Sequence, residues 1–389
     1  MNLCLPYMSV FMLALGLNDV DVGLVASVYM VSQMIFAFIS GALTDRFGRR
    51  LSVAIFDALG WSVPCIIWIF AVDIRFFIVA AIFNGAMRVP MNAWNCLMIE
   101  EAEKSQITHI YTLIIICGHL SALFSPITSI LISNFTLIPA IRILIVNAFI
   151  VMTTKIVLLY VLSKETAIGA VRMKETKEIS FVAQIGGYYG VLRLIRKSRG
   201  ILFAVTISSL FAIISMLNST FWQILVSQKL EIPDSTLPIF VMLRSIIALI
   251  CFFTVIARIN QQKLKNPLLL GFASYFAGQV LLLLIQPFGQ LRYFILIVTL
   301  LFDGLGGGIL AMLSESMVAM HADEKERARM LAIIQMTIMA ICAPFGWIGG
   351  VLSDISRDLP FILNLGLIGV GVAIILIYYK RNPGAQPSE

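Results

Sequence analysis

The chain has 389 residues, of which 60% are hydrophobic and only 13% charged, about half the charged fraction usual in soluble domains. That balance excludes a water-soluble enzyme, and the length suits about a dozen membrane spans of ~20 residues joined by short loops. The formal charge of +7 is spread over loops and makes no aromatic-interleaved patch, so no nucleic-acid partner is expected.

Apolar runs, read against Gly, Pro and charge punctuation, predict twelve helical spans: 3–17, 22–43, 52–71, 76–98, 109–132, 139–162, 201–226, 237–257, 267–286, 292–318, 330–352 and 360–379. The first is short for a ~30 Å hydrocarbon layer. It lacks a preceding basic stretch and a small-residue cleavage site, so it is expected to be retained. Ser163 to Gly200 is the longest hydrophilic segment and divides the spans six and six. The expected domains are therefore an N-terminal six-helix bundle (1–162), a cytoplasmic linker (163–200), a C-terminal six-helix bundle (201–381) and a tail (382–389). Within the linker, 181–199 alternates apolar and basic residues as a surface helix on the inner leaflet would.

Lys and Arg accumulate on the cytoplasmic side of membrane proteins. With the loop after the second span placed inside, 20 of the 28 Lys and Arg residues lie in inner segments and four in outer ones. Both termini are then cytoplasmic, in a multi-pass protein of a plasma membrane, expected to be bacterial. The halves also echo each other. A shift of 221 residues places Gly85 on Gly306 and Glu103-Lys104 on Glu324-Lys325, as parallel halves related by an axis along the membrane normal would.

Charges at membrane depth mark a pathway or a pair. In the fourth span Asn84, Arg88, Asn92 and Asn95 recur at helical spacing, predicting a polar face, and Pro90 predicts a bend there. The seventh span carries Asn218, Ser219, Thr220, Trp222 and Gln223, a hydrogen-bonding set beside an indole that suits a small amphipathic ligand. In the tenth, Asp303 precedes a glycine run, Gly304-Leu-Gly306-Gly307-Gly308. Arg88 and Asp303 reach similar depths by helical rise. Asp57, near the arginines that follow the second span, is expected to pair with Arg49 or Arg50. Arg142 is expected to reach toward the outer interface, while spacing suggests no partner for Lys155 or Arg244. The six cysteines lie in apolar segments and form no Cys-x-x-Cys, so neither disulfides nor zinc are expected. No catalytic constellation is present, and no cofactor or metal is expected.

The run Gly41-Ala-Leu43-Thr-Asp45-Arg46-Phe-Gly48-Arg49-Arg50 resembles the loop signature of the major facilitator superfamily, Gly-x-Leu-x-Asp-Arg-x-Gly-Arg-Lys/Arg, and lies between the expected second and third spans. The resemblance implies an all-α membrane protein of twelve helices in two pseudo-symmetric six-helix bundles. It also implies alternating access to a central cavity lined by the first, fourth, seventh and tenth spans. Arg88 and Asp303 are then expected to face each other across it. Gly41, Asp45, Arg46, Gly48, Arg49 and Arg50 would form a gating loop, with Asp45 engaging a helix terminus or a basic group. The family's antiporter signature is not reproduced in the fifth span, where Gly118-His119-Leu-Ser121-Ala-Leu-Phe-Ser125-Pro126 keeps the proline without the glycines.

The reading reached is a monomeric secondary transporter whose partners are a small organic solute, the lipid bilayer and protons. Export of a drug or metabolite is the favoured activity and Asp303 the candidate proton carrier. An organic-anion uniporter or exchanger centred on Arg88, and a non-transporting sensor with the same fold, are the alternatives.

Overall fold

A computed structural model describes residues 1, 3–177, 198–255, 258–259, 264–285, 289–321 and 327–381, and every regular element among them is helical. Among the described residues a short apolar helix, α1 (Leu5–Ala14), is followed by eleven helices long and apolar enough to cross a membrane. These are α2 (Asp19–Phe47), α3 (Arg49–Ile69), α4 (Ile74–Ile99), α5 (His109–Phe135), α6 (Leu137–Leu162), α7 (Arg199–Lys229), α8 (Asp234–Thr254), α9 (Lys265–Leu284), α10 (Leu291–Met317), α11 (Met330–Ile355) and α12 (Leu359–Arg381). A connector helix, Ala167–Thr176, follows α6. The amphipathic segment expected over 181–199 lies almost wholly outside the described residues, as does the tail.

The signature segment is not a loop. Helix α2 runs to Phe47 and α3 starts at Arg49, leaving only Gly48 between them, at φ +82°. Glycine is the residue that holds that conformation without strain. A Cβ there would also meet the Glu165 carboxylate at 2.6 Å. The expected boundaries at 43 and 52 followed hydropathy, whereas the helices continue through their charged ends because the arginines find partners there.

Prolines explain the irregular turns. Pro64 removes the N–H that would bond the Gly60 carbonyl, and α3 widens to a π-turn over Ala58–Ser62. Pro90 has the same effect in α4, which breaks into Ile74–Gly85 and Arg88–Ile99. In α5 the break falls before Pro126, which opens the second segment, Pro126–Phe135.

Within the first half α2 packs on α4, α3 on α4 and α6, and α5 on α6; within the second, α10 packs on α8 and α9, and α12 on α7 and α9. The halves meet chiefly where α2 lies against α11, with α5 on α8 and α1 on α7. We call the end carrying Gly48 the arginine face and the opposite end, carrying Asp19 and Ser353, the distal face. At the distal face α2 and α11 touch through backbone. A Cβ on Gly23 would lie 2.4 Å from the Gly346 carbonyl, and one on Gly350 would lie 2.7 Å from the Asp19 carbonyl. Small residues of this kind let membrane helices approach closely.

Candidate functional site

At the arginine face the charges form one network that joins the first half to the connector helix. Arg49, whose side chain is only 6% exposed, donates to Glu100 at 2.9 Å and to Asp45 at 3.0 Å. Glu165 accepts the backbone N–H groups of Arg49 and Arg50 at 2.9 and 3.0 Å. A carboxylate there meets the positive end of the α3 dipole and its unpaired donors. Thr166 donates to Glu100, and Thr176 donates to the Asp45 carbonyl at 3.1 Å. The connector helix is thereby fastened to the signature. Arg50 donates to the Tyr160 carbonyl at 2.7 Å and sits over that ring, 4.2 Å from its centroid. Arg46 is exposed.

Asp57 pairs with neither Arg49 nor Arg50. Its partner is Lys155 of α6, at 2.5 Å, which also lies 5.8 Å from the Trp94 ring centroid. Arg49 is taken by Glu100, so helix rotation leaves Asp57 facing α6. Arg142 donates to the Ala71 carbonyl at 3.0 Å.

The expected polar face of α4 divides at its break. Asn84 is buried and donates to the Gly60 carbonyl at 2.7 Å, the group that Pro64 leaves without a partner. It serves the α3–α4 packing and is not on the face with Arg88. Arg88, Asn92 and Asn95 begin and continue the second segment and are half-buried.

Arg88 and Asp303 are not partners. Both the Nε and Nη2 atoms of Arg88 donate to Gln33 Oε1 of α2, at 2.8 and 2.5 Å, with Tyr29 close enough to act on its charge. Asp303 is held by second-half amides. It accepts from Asn218 Nδ2 at 3.2 Å and from Gln279 Nε2 at 3.4 Å, and Asn364 Nδ2 donates on to Gln279 Oε1 at 3.4 Å. Gly278 leaves room for the carboxylate, since a Cβ there would lie 2.7 Å from Asp303 Oδ1. The cation acting on Asp303 is Arg244 of α8, with Tyr275 beside them.

Arg244, which spacing left without a role, also stacks over Trp222 at 5.2 Å from the ring centroid. Trp222 packs edge-on against Phe240 at 6.0 Å. Asn218 Oδ1, Trp222 Nε1, Gln223 Oε1 and Arg244 Nη2 are buried without a hydrogen-bond partner. An unsatisfied buried polar atom costs free energy unless water or a ligand meets it. Gln33, Gln279 and Asn364 were missed by sequence reasoning. Each is a lone amide in an apolar run, distinguished only by its contact with a charge or, for Asn364, with the amide that holds one.

The family model described as Major Facilitator Superfamily matches residues 1–298. The chain belongs to that superfamily, a family of membrane transporters. No curated protein matches by sequence. Among solved structures, a mutant of the nucleoside transporter NupG is 12% identical with a TM-score of 0.77, each chain being covered over 97% of its length. NupG without that mutation is 14% identical with a TM-score of 0.71, over 97% of this chain and 96% of that one. A POT family transporter in complex with a thioalcohol-conjugated peptide is 17% identical with a TM-score of 0.67, over 99% and 93%. At these identities the likeness establishes the fold, and the particular solute is decided by the site.

Proposed function

We propose that the protein is a secondary transporter that carries a small polar organic solute across the plasma membrane by alternating access, with the arginine face cytoplasmic and 1–162 and 201–381 as the moving halves. One observation carries this reading. Among the described residues, the polar contacts that join the halves lie at the distal face: Ser27 with Ala343 and Trp347, Ser353 with Asp19, and Ser129 with the Ser235 carbonyl. Among the described residues, the charge network of the arginine face ties the connector to the first half and does not reach the second. A molecule closed at one end by bonds between its halves, with each half separately cross-braced, is suited to rocking. The nucleoside and peptide transporters that share the fold support a polar organic solute.

In this reading the solute meets Asn92 and Asn95 from the first half and Asn218, Trp222 and Gln223 from the second. Asp303 is the candidate proton carrier. Its partners are neutral amides that can serve either protonation state, as amides both donate and accept. A buried carboxylate without a tight ion pair is a natural place to take up a proton.

A second reading, organic-anion exchange centred on Arg88, is favoured by one observation: the partners of Arg88 are an amide oxygen and the Met91 thioether, not a carboxylate. Its charge is left to attract an anionic group. Flux in proteoliposomes separates the two. Proton coupling predicts solute movement driven by a pH gradient and abolished by Asp303→Asn. Movement indifferent to the gradient, intact in Asp303→Asn and lost in Arg88→Gln, rejects the first and establishes the second.

A further inference from the structure

Helix α11 contains Pro344, which cannot donate to the Ala340 carbonyl. One turn further on, an uninterrupted helix would bond the Trp347 N–H to the Ala343 carbonyl. Those two groups are bridged by a side chain from the other half. The Trp347 N–H donates to Ser27 Oγ at 2.7 Å, and Ser27 Oγ donates to the Ala343 carbonyl at 2.6 Å. The hydroxyl sits in the ladder of α11, beside the proline that has already loosened it. Insertion of a side chain into the i→i−4 ladder is a recognised cause of a helix kink.

The approach depends on glycine. A Cβ on Gly346 would lie 2.7 Å from both Ser27 N and Ser27 Oγ, and one on Gly23 would be closer still to the α11 backbone. Without a Cβ at these positions, α2 comes near enough for a side chain as short as serine to reach main-chain groups on α11.

We infer that Ser27 is a positioning residue of the distal gate, a hydroxyl that replaces an internal hydrogen bond of α11 when the halves are closed and gives it back when they part. The inference rests on the alternating-access reading. When α2 withdraws, Trp347 N–H and Ala343 C=O are left facing each other and can bond directly. Neither group is then stranded in the membrane, where an unsatisfied backbone group is costly. Closing trades the internal bond, and the bond that the free Ser27 hydroxyl makes to water or to its own helix, for two bonds through Ser27. The two states are therefore kept to within about one hydrogen bond, a difference of roughly tenfold in population or less. A gate made from salt bridges would be harder to reopen.

Hydrogen–deuterium exchange on the purified full chain in lipid nanodiscs tests this. Ser27→Ala is expected to speed exchange roughly tenfold over 19–27 of α2 and 343–353 of α11, with α9 unchanged and thermal stability preserved. Pro344→Ala restores a ladder donor that the kinked turn uses poorly, so it is expected to act in the same direction. If the two act on one device, the double variant exchanges no faster than Ser27→Ala alone. Wild-type exchange rates in Ser27→Ala, or full additivity of the two substitutions, overturn the inference while leaving transport standing. Wild-type protein whose distal amides are as protected as the α9 core overturns the alternating-access reading as well.

Discussion

The two ends of the molecule are held by different chemistry. At the arginine face a buried guanidinium, three carboxylates and two threonines bind α2, α3, α4 and the connector into one body. At the distal face the joint between α2 and α11 is glycine on glycine, stitched by serine hydroxyls, and its ion pair, Asp19 with Arg357, stands at 3.7 Å. Breaking a buried ion pair by removing one partner costs ~3–5 kcal/mol, whereas a neutral hydrogen bond contributes ~0.5–1.5 kcal/mol. Among the described residues the strong contacts lie within a half or bind the connector to it, and the weak ones lie between halves. A transporter has to part the second kind in every cycle and the first kind never.

The largest effect is expected from Arg49→Ala, which leaves Glu100 and Asp45 without their cation in a nearly closed site. Loss of ~3 kcal/mol or more is expected, read as a marked fall in melting temperature of the purified protein. A melting curve superimposable on wild type would mean that the arginine face is braced by something else. A smaller effect, of another kind, is expected from Gly350→Leu. The new side chain must displace the Gly23 and Asp19 backbone, an overpacking of ~1–3 kcal/mol that acts on the closed distal face alone. Melting should change less than in Arg49→Ala, while a cysteine placed at Ser353, which is 3% exposed, should become reactive to aqueous thiol reagents. Unchanged reactivity would break the view that this face is a gate. The smallest effect is expected from Lys229→Ala. Its pair with Asp358 is also at the distal face but within the second half, with both side chains about 30% exposed. Pairs so exposed contribute at most ~1 kcal/mol, and distal reactivity should not move. If it does, the pair takes part in closure and the comparison needs redrawing.

Much of the architecture was legible from composition and punctuation. Eleven of the expected spans reappear as long apolar helices, and the first as the short α1. The signature was legible as well, down to Gly48, but not its shape: hydropathy ends a span where charge begins, while the helix itself continues through Asp45 and Arg46. Among the polar residues at membrane depth, Asn218 and Asp303 were legible as candidates, and the structure brings them together. The partner named for Asp57 was mistaken, and Arg88 and Arg244 had been given none. Depth along a helix axis follows from residue number, but the direction a side chain faces depends on rotation and on breaks. The turn at Ala86–Met87 was enough to take Asn84 off the face that carries Arg88.

The sequence by itself determined that this chain spans a membrane, where its helices run, which end of each carries charge, and to which superfamily it belongs. Those properties are sums over local stretches, hydrophobicity, charge and a ten-residue motif, and each survives without knowledge of what lies alongside. Only the tertiary structure decided that Arg88 binds Gln33, that Asp303 is shared among Asn218 and Gln279, and that Ser27 enters the ladder of α11. Each of these joins residues from different helices, and the choice of partner is set by how helices rotate, bend and approach, to within a hydrogen-bond length that no spacing in one dimension encodes.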